Sequence, residues 1–291
     1  MQSAPAVMEL HSPAKDFVYN GLATKDEKDI FYLNGQGKLV YTDRKNNQEI
    51  FEGIFKDNKR QGYGAKTCLG DKNVFQWSYE GVFKDDWPTG QGTVRTKDDK
   101  KVYTGEFLKG TFHGLGKLVM ADRLTYSGMW TNGKPEGHGE CHYNLERCTY
   151  KGMWVNGLWE GEGTITADVG GYQIKGHFKG GKLNGEGSRT YKNGKTLTGT
   201  WVDNELQSGK CVNTDNTVYE GAWLGGRPHG QGVKQISGGK QYHGMFCFGR
   251  PWGVGYKYDV KKDKKVMGYW DGSKFLDEEP SAEKQQEFVD Q

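Results

Sequence analysis

The sequence predicts an all-β repeat protein: an elongated array of about ten stacked antiparallel β-hairpins forming one long twisted sheet. Three observations carry this. A triplet centred on glycine, usually aromatic-x-Gly-x-aromatic, recurs at Gly53, Gly81, Gly105, Gly128, Gly152, Gly176, Gly199, Gly221, Gly244 and Gly268, at intervals of 22 to 28 residues. A Gly-x-Gly pair begins nine residues after most of these anchors, as at Gly137/Gly139 and Gly230/Gly232. The 291 residues include 45 Gly, nine Trp, 16 Tyr and 13 Phe, so the material for a core is aromatic. Within 103–126, Tyr103, Gly105 and Phe107 alternate and share one face of a strand. A turn, a second strand ending in Leu118, Val119 and Met120, and another turn complete one hairpin. Glycine between the rings is expected to leave room for a ring from the neighbouring hairpin. At about 4.8 Å per strand, an array of this size reaches on the order of 100 Å, as a curved rod or trough.

In chain order, residues 1–16 show no periodicity and are expected to be flexible. The array occupies 17–272. Its first anchor is Tyr19-Asn20-Gly21, whose Gly35/Gly37 pair begins 14 residues later, which implies an inserted loop through 24–29. Asn132-Gly133, Asn156-Gly157 and Asn193-Gly194 stand where hairpins reverse and predict type I′ turns. Ile174 and Leu197 replace the leading aromatic, and Ser208 and Lys210 replace the Gly pair expected after Gly199. Breaks of this kind are not dictated by the repeat, so Leu206 and Lys210 are candidate partner-binding residues, along with the insertion after Gly21. After Gly268 come Tyr269 and Trp270 but no Gly-x-Gly strand. This half hairpin is expected to leave Tyr269 and Trp270 uncovered, making them the other candidate partner-binding residues. The edge would be completed by a second copy, giving a homodimer, or by a neighbouring subunit. The segment 273–291 is an acidic tail, with a short helix candidate at 281–288 behind Pro280.

The formal charge is +3, but 276–291 carry six acidic residues against one Lys. Without them the body stands near +8. Runs such as 97–101 and 261–265 mix Lys with Asp and read as solvated turns, so no nucleic-acid partner is expected. Five cysteines without a CxxC indicate a reducing compartment. There is no signal-peptide pattern, no stretch near the roughly 18 apolar residues that span a bilayer, and no lipidation motif. These features predict a soluble, cytoplasmic chain.

Catalytic and ligand motifs are weak. The Gly-x-Gly pairs lack the third glycine and βαβ setting of a dinucleotide fingerprint. Asn193-Gly194-Lys195-Thr196 ends like a phosphate loop, but Arg189 stands where its first glycine belongs. His138, Cys141, His142 and Cys148 cluster within one repeat, yet Cys141 and His142 are adjacent and point to opposite faces of a strand. A shared metal is therefore not expected. His113 and His229 occupy a repeat position and read as structural. No enzyme activity, cofactor or metal is expected, and the few residues after the last anchor leave no room for a catalytic domain.

The repeat resembles the MORN (membrane occupation and recognition nexus) family. Tyr219-Glu220-Gly221-Ala222-Trp223 followed by His229-Gly230-Gln231-Gly232 is close to its pattern, as is Tyr126-Ser127-Gly128-Met129-Trp130, and the resemblance covers 17–272. It implies a non-catalytic scaffold that binds other proteins along its length; the alternative is a phospholipid-binding adaptor at a membrane or cell cortex. Membrane attachment would want a one-sign basic cluster or an amphipathic helix, and neither is evident. The segment running from Arg250, Pro251 and Trp252 to Val260, followed by the half repeat 267–270 and the acidic tail, is similar to the MORN proteins of the radial-spoke head. That similarity implies partners in a cytoskeletal complex and a place in the ciliary axoneme.

Overall fold

The computed structural model describes residues 4–12, 16–236 and 238–276. Among these are 23 strands, two three-residue 3-10 turns and no α-helix, so the stacked-hairpin class holds. The helix candidate at 281–288 lies outside the described residues. The chain divides into two compact units, one of 1–145 with 154–157 and one of 146–153 with 158–291.

In the first unit each strand pairs antiparallel with its neighbours in sequence, from Ala6–His11 to Lys134–Tyr143. The anchors fix the register. Gly21 faces Gly37, Gly37 faces Gly53, and facing glycines continue through Gly64, Gly81, Gly92, Gly105, Gly116 and Gly128 to Gly139. The second unit is also an open antiparallel meander, from Leu158–Ala167 to Phe275–Leu276. Its glycine column runs from Gly163 and Gly176 through Gly187, Gly199, Gly209, Gly221, Gly232 and Gly244 to Gly255 and Gly268.

The column exists because a tyrosine ring lies flat on it. A Cβ on Gly116 would come within 2.5 Å of Tyr103 Cζ, and one on Gly139 within 2.7 Å of Tyr126 Cζ. The ring is the hairpin's own, two residues before its anchor, and not the neighbour's ring that the sequence suggests. Side chains at i and i+2 share a face, so the local ring reaches the glycine first. The first glycine of each pair answers a different need. Gly114 has φ +57 beside a two-residue register slip after Gly105, a left-handed conformation that suits glycine.

Nine hairpins reverse through two residues that both have positive φ, as type I′ turns require, from Asp57-Asn58 to Phe248-Gly249. Asn132-Gly133 and Asn156-Gly157 are among them. Asn193-Gly194 is not. It belongs to a longer reversal between hairpins, in which Tyr191 N–H donates to the Lys195 carbonyl and only Gly194 has positive φ.

Three irregular regions depart from expectation. Residues 1–16, expected to be flexible, contain the strand Ala6–His11, whose Met8 faces Gly21. The insertion after Gly21 is a lengthened hairpin. Thr24 and Lys25 continue their strand opposite Tyr32 and Phe31, and the Asp26 carboxylate closes a tight reversal by accepting the N–H groups of Lys28 and Ile30. Around Gly199 the glycine of the column is present after all, as Gly209. One residue fewer separates it from its anchor, which hides it from a fixed-offset reading of Ser208 and Lys210.

Candidate binding surfaces

Alternation gives every strand a packed face and an outward face. The packed face is a continuous line of rings. In the first unit Tyr19, Phe55, Phe51, Phe83, Tyr79, Phe107, Tyr103, Trp130, Tyr126 and Trp154 meet in turn, edge to face, with centroids 4.9 to 5.5 Å apart. This is the favourable geometry for ring quadrupoles. Each ring therefore holds both its own hairpin and the next. The polar atoms are satisfied by backbone. Tyr103 Oη donates to the Glu106 carbonyl and Tyr126 Oη to the Met129 carbonyl, three residues on, where the ladder slips register. Trp130 Nε1 donates to the Gly116 carbonyl, and Trp154, Trp201 and Trp223 make the equivalent bond to the Gly139, Gly187 and Gly209 carbonyls.

Where the leading tyrosine is missing, another residue takes its space. Ile174 stands two residues before Gly176, and there Leu183 reaches over Gly176 and Gly187 and is fully buried. Leu206 holds the equivalent place in the Leu197 hairpin, opposite Trp201, and is 4% exposed. Packing thus dictates Leu206.

Burial pushes the phenols of Tyr79, Tyr103, Tyr150, Tyr219 and Tyr242 up to about 12, with the Glu106 charge adding to the effect at Tyr103. The folded state thus resists ionisation that the unfolded chain undergoes near 10. The associated stability is complete below pH about 10 and is lost as pH rises toward about 12. A pH titration followed by circular dichroism and tyrosinate absorbance should show tyrosine ionisation and loss of β structure together in that window. Ionisation well before any loss of structure would show the phenols to be freely solvated.

The outward face is built from the residues flanking each anchor and from the middle residue of each Gly-x-Gly. Ile54, Tyr63 and Val82, on three successive strands, are 42%, 59% and 38% exposed, and Tyr63 directly faces Val82. Leu115 and Met129 form a second facing apolar pair. Exposed carboxylates and amines are interleaved with them. Lys38 faces Glu52, Glu220 faces Lys210, and Glu80 accepts a 2.5 Å hydrogen bond from Tyr63 Oη. None of these apolar residues was singled out from the sequence. Their signal was available, as apolar residues in the phase opposite to the Tyr and Trp positions.

Of the candidate partner-binding residues, Lys210 is exposed on this outward face, while Leu206 is buried. Tyr269 and Trp270, expected to be uncovered, are covered by the chain itself. Asp271 turns the chain by accepting from the N–H groups of Ser273 and Lys274, and Phe275–Leu276 pairs back onto them. Tyr269 is buried, and Trp270 packs against Tyr242 and Phe275. Phe275 lies over Gly268 as Tyr103 lies over Gly116 and Tyr126 over Gly139. Two apolar residues suffice because the half hairpin needs only one ring on its last glycine. Among the described residues no group of three or more His, Cys, Asp or Glu side chains could hold a metal ion. No helix there is long and apolar enough to cross a membrane.

The chain matches the MORN repeat model at 51–68, 79–98, 103–125, 126–144, 150–172, 175–196 and 219–241. It is 38% identical over 65 residues to Alsin of Mus musculus, which covers 21% of this chain and 4% of that protein. To Alsin of Homo sapiens it is 41% identical over 59 residues, 19% of this chain and 4% of that protein. The chain thus spans only a small fraction of the length of these relatives. Its seven matches together cover just over half of its residues, each built on the Tyr-over-glycine hairpin or its Phe and Leu variants, and the chain belongs to the MORN repeat family, whose members bind proteins or membranes.

Proposed function

We propose that this chain is a non-catalytic scaffold that binds other proteins through the outward face of its hairpins. The observation that carries this reading is the composition of that face. Exposed apolar side chains stand among charges of both signs, with exposed carboxylates at Glu52, Glu80, Glu140, Glu162, Glu186 and Glu220. An anionic bilayer attracts surfaces of one positive sign, and the exposed carboxylates on each unit's outward face deny it one. A protein partner can match both signs while its apolar side chains cover Ile54, Tyr63, Val82, Leu115 and Met129.

The partners we propose are components of a cytoskeletal assembly, with the radial-spoke head of the ciliary axoneme as the specific setting. The similarity of 250–260 to spoke-head MORN proteins supports it. The test combines localisation with a surface substitution. A tagged chain in ciliated cells should concentrate in the axoneme, and the double variant Tyr63→Glu, Leu115→Glu should leave it and spread through the cytosol. Wild-type chain evenly distributed in the cytosol would end the axonemal reading. Salt-sensitive co-flotation with anionic vesicles, lost in the same variant, would replace the protein-binding reading with a membrane one.

A further inference from the structure

We propose that the basic cavity near the end of the second unit is an acidic-peptide site, and that its occupant is the chain's own segment 277–291. This goes beyond the scaffold reading, because it concerns the packed face and not the outward one. The cavity measures about 680 Å3 and is walled by Tyr242 and Trp270 and by five lysines: Lys234, Lys240, Lys257, Lys262 and Lys264.

Register places these amines together. Lys234 faces Tyr242, Tyr242 faces Lys257, and Lys257 faces Val266. Two residues along, on the same face, Lys240 faces Asp259 and Asp259 faces Lys264. Lys234 and Lys257 stand two residues after the second glycine of their pairs. In other hairpins that place holds Leu118, Cys141, Ile165 and Cys211, all buried. The repeat therefore provides an apolar position, and these two hairpins put charge there.

Of the cations at the same position elsewhere, Lys66 is ion-paired, 2.6 Å from the Glu49 carboxylate, whereas Arg189 stacks on Tyr172 and Trp201 and has a buried Nε without a hydrogen-bond partner. None of the five cavity lysines makes an ion pair with a described residue, although the Lys234 charge adds weakly to the Thr217 hydrogen bonds that hold the Asp215 carboxyl below the usual range. Asp259, the cavity's one carboxylate, accepts the backbone N–H groups of Lys261 and Lys262. Lys257 lies over the rings of Trp270 and Phe275, 4.2 Å from the latter. Trp270 Nε1 is buried without an acceptor, although Trp130, Trp154, Trp201 and Trp223 at the same repeat position all donate. The site carries unmatched positive charge and an unmatched donor.

The segment 277–291 supplies the complement. It holds six carboxylates against one Lys, and Phe288 and Val289 offer apolar contact to the aromatic wall. It continues directly from Phe275–Leu276, whose Phe275 ring already lies beneath Lys257. Fifteen residues reach about 50 Å when extended, far more than needed. A short tether also holds the segment at an effective concentration near millimolar, so modest affinity is enough to keep the site covered.

The experiment compares the full chain with a full chain in which Asp277, Glu278, Glu279, Glu283, Glu287 and Asp290 are replaced by the corresponding amides. Amine acylation is followed lysine by lysine by mass spectrometry. At low salt, Lys234, Lys257 and Lys264 should react several-fold more slowly in the native chain, and the difference should vanish at about 1 M salt, where screening is complete within ~3 Å. Lys175 and Lys210 should react equally in both chains. A synthetic 277–291 peptide should restore protection to the amide variant. Carbodiimide coupling of a mixture of isotopically light and heavy chains should join carboxylates of 277–291 to the cavity lysines within one chain. Equal acylation of the two chains would overturn the proposal. Links formed only between chains would overturn it too, by making a second copy the occupant.

Discussion

Gly105→Val should unfold the hairpin that carries it, lowering the local free energy of opening by about 3 kcal/mol, the upper end of what overpacking costs. A Cβ at Gly105 would lie 2.6 Å from the Leu115 carbonyl oxygen and 2.8 Å from Tyr103 Oη, and would also press on Gly116 Cα. Two of those three atoms are backbone of the paired strand, so no rotamer change relieves the contact. The strands would have to part at their register point. Gly70→Ala is the matched control. Gly70 has φ −85, and its added Cβ would meet only the end of the flexible Gln76 side chain, so the change should stay within about 0.5 kcal/mol. Hydrogen exchange is the appropriate measurement, because repeat arrays need not unfold as one unit. Amides of the strands Lys101–Leu108 and Thr111–Met120 should lose protection in the valine variant and keep it in the control. Equal protection in both would show that the column tolerates side chains.

Trp130→Ala should cost about 3–5 kcal/mol, the usual range for removing a large buried aromatic. The indole is 3% exposed and touches Tyr103, Phe112 and Tyr126, while its Nε1 holds the Gly116 carbonyl of the preceding hairpin. It therefore joins two repeats, and nearest-neighbour coupling is where a repeat array keeps its cooperativity. Protection should fall in the flanking hairpins on both sides. Trp130→Phe should cost only about 1 kcal/mol, the net value of the lost hydrogen bond, because Phe83 and Phe107 already serve at the same position. A phenylalanine variant as damaged as the alanine one would mean that the indole bond, and not ring packing, holds the repeats together.

The fold class, the hairpin unit and most anchors were legible because each depends on local rules. Period-two alternation, Asn-Gly reversal and the fixed distance between two glycines are all properties of neighbouring residues. Reading by fixed offset failed where a residue was lost, so Gly209 was passed over, and where strands were lengthened, so 24–29 looked like a loop. It also gave no sign that Leu206, a break in the pattern, is buried. Leu183 takes the space of the tyrosine missing from Ile174, and Leu206 is buried at the equivalent place opposite Trp201, a relation across paired strands that no spacing displays.

By itself the sequence determined that this chain is an all-β array with one aromatic face, because backbone periodicity and glycine geometry are local. Tertiary structure alone decided which ring covers which glycine and how the last hairpin is closed by Phe275. It also decided which lysines meet in one basic cavity. These follow from the register of facing strands, where residues such as Lys234 and Lys257 become neighbours only once Tyr242 is paired between them.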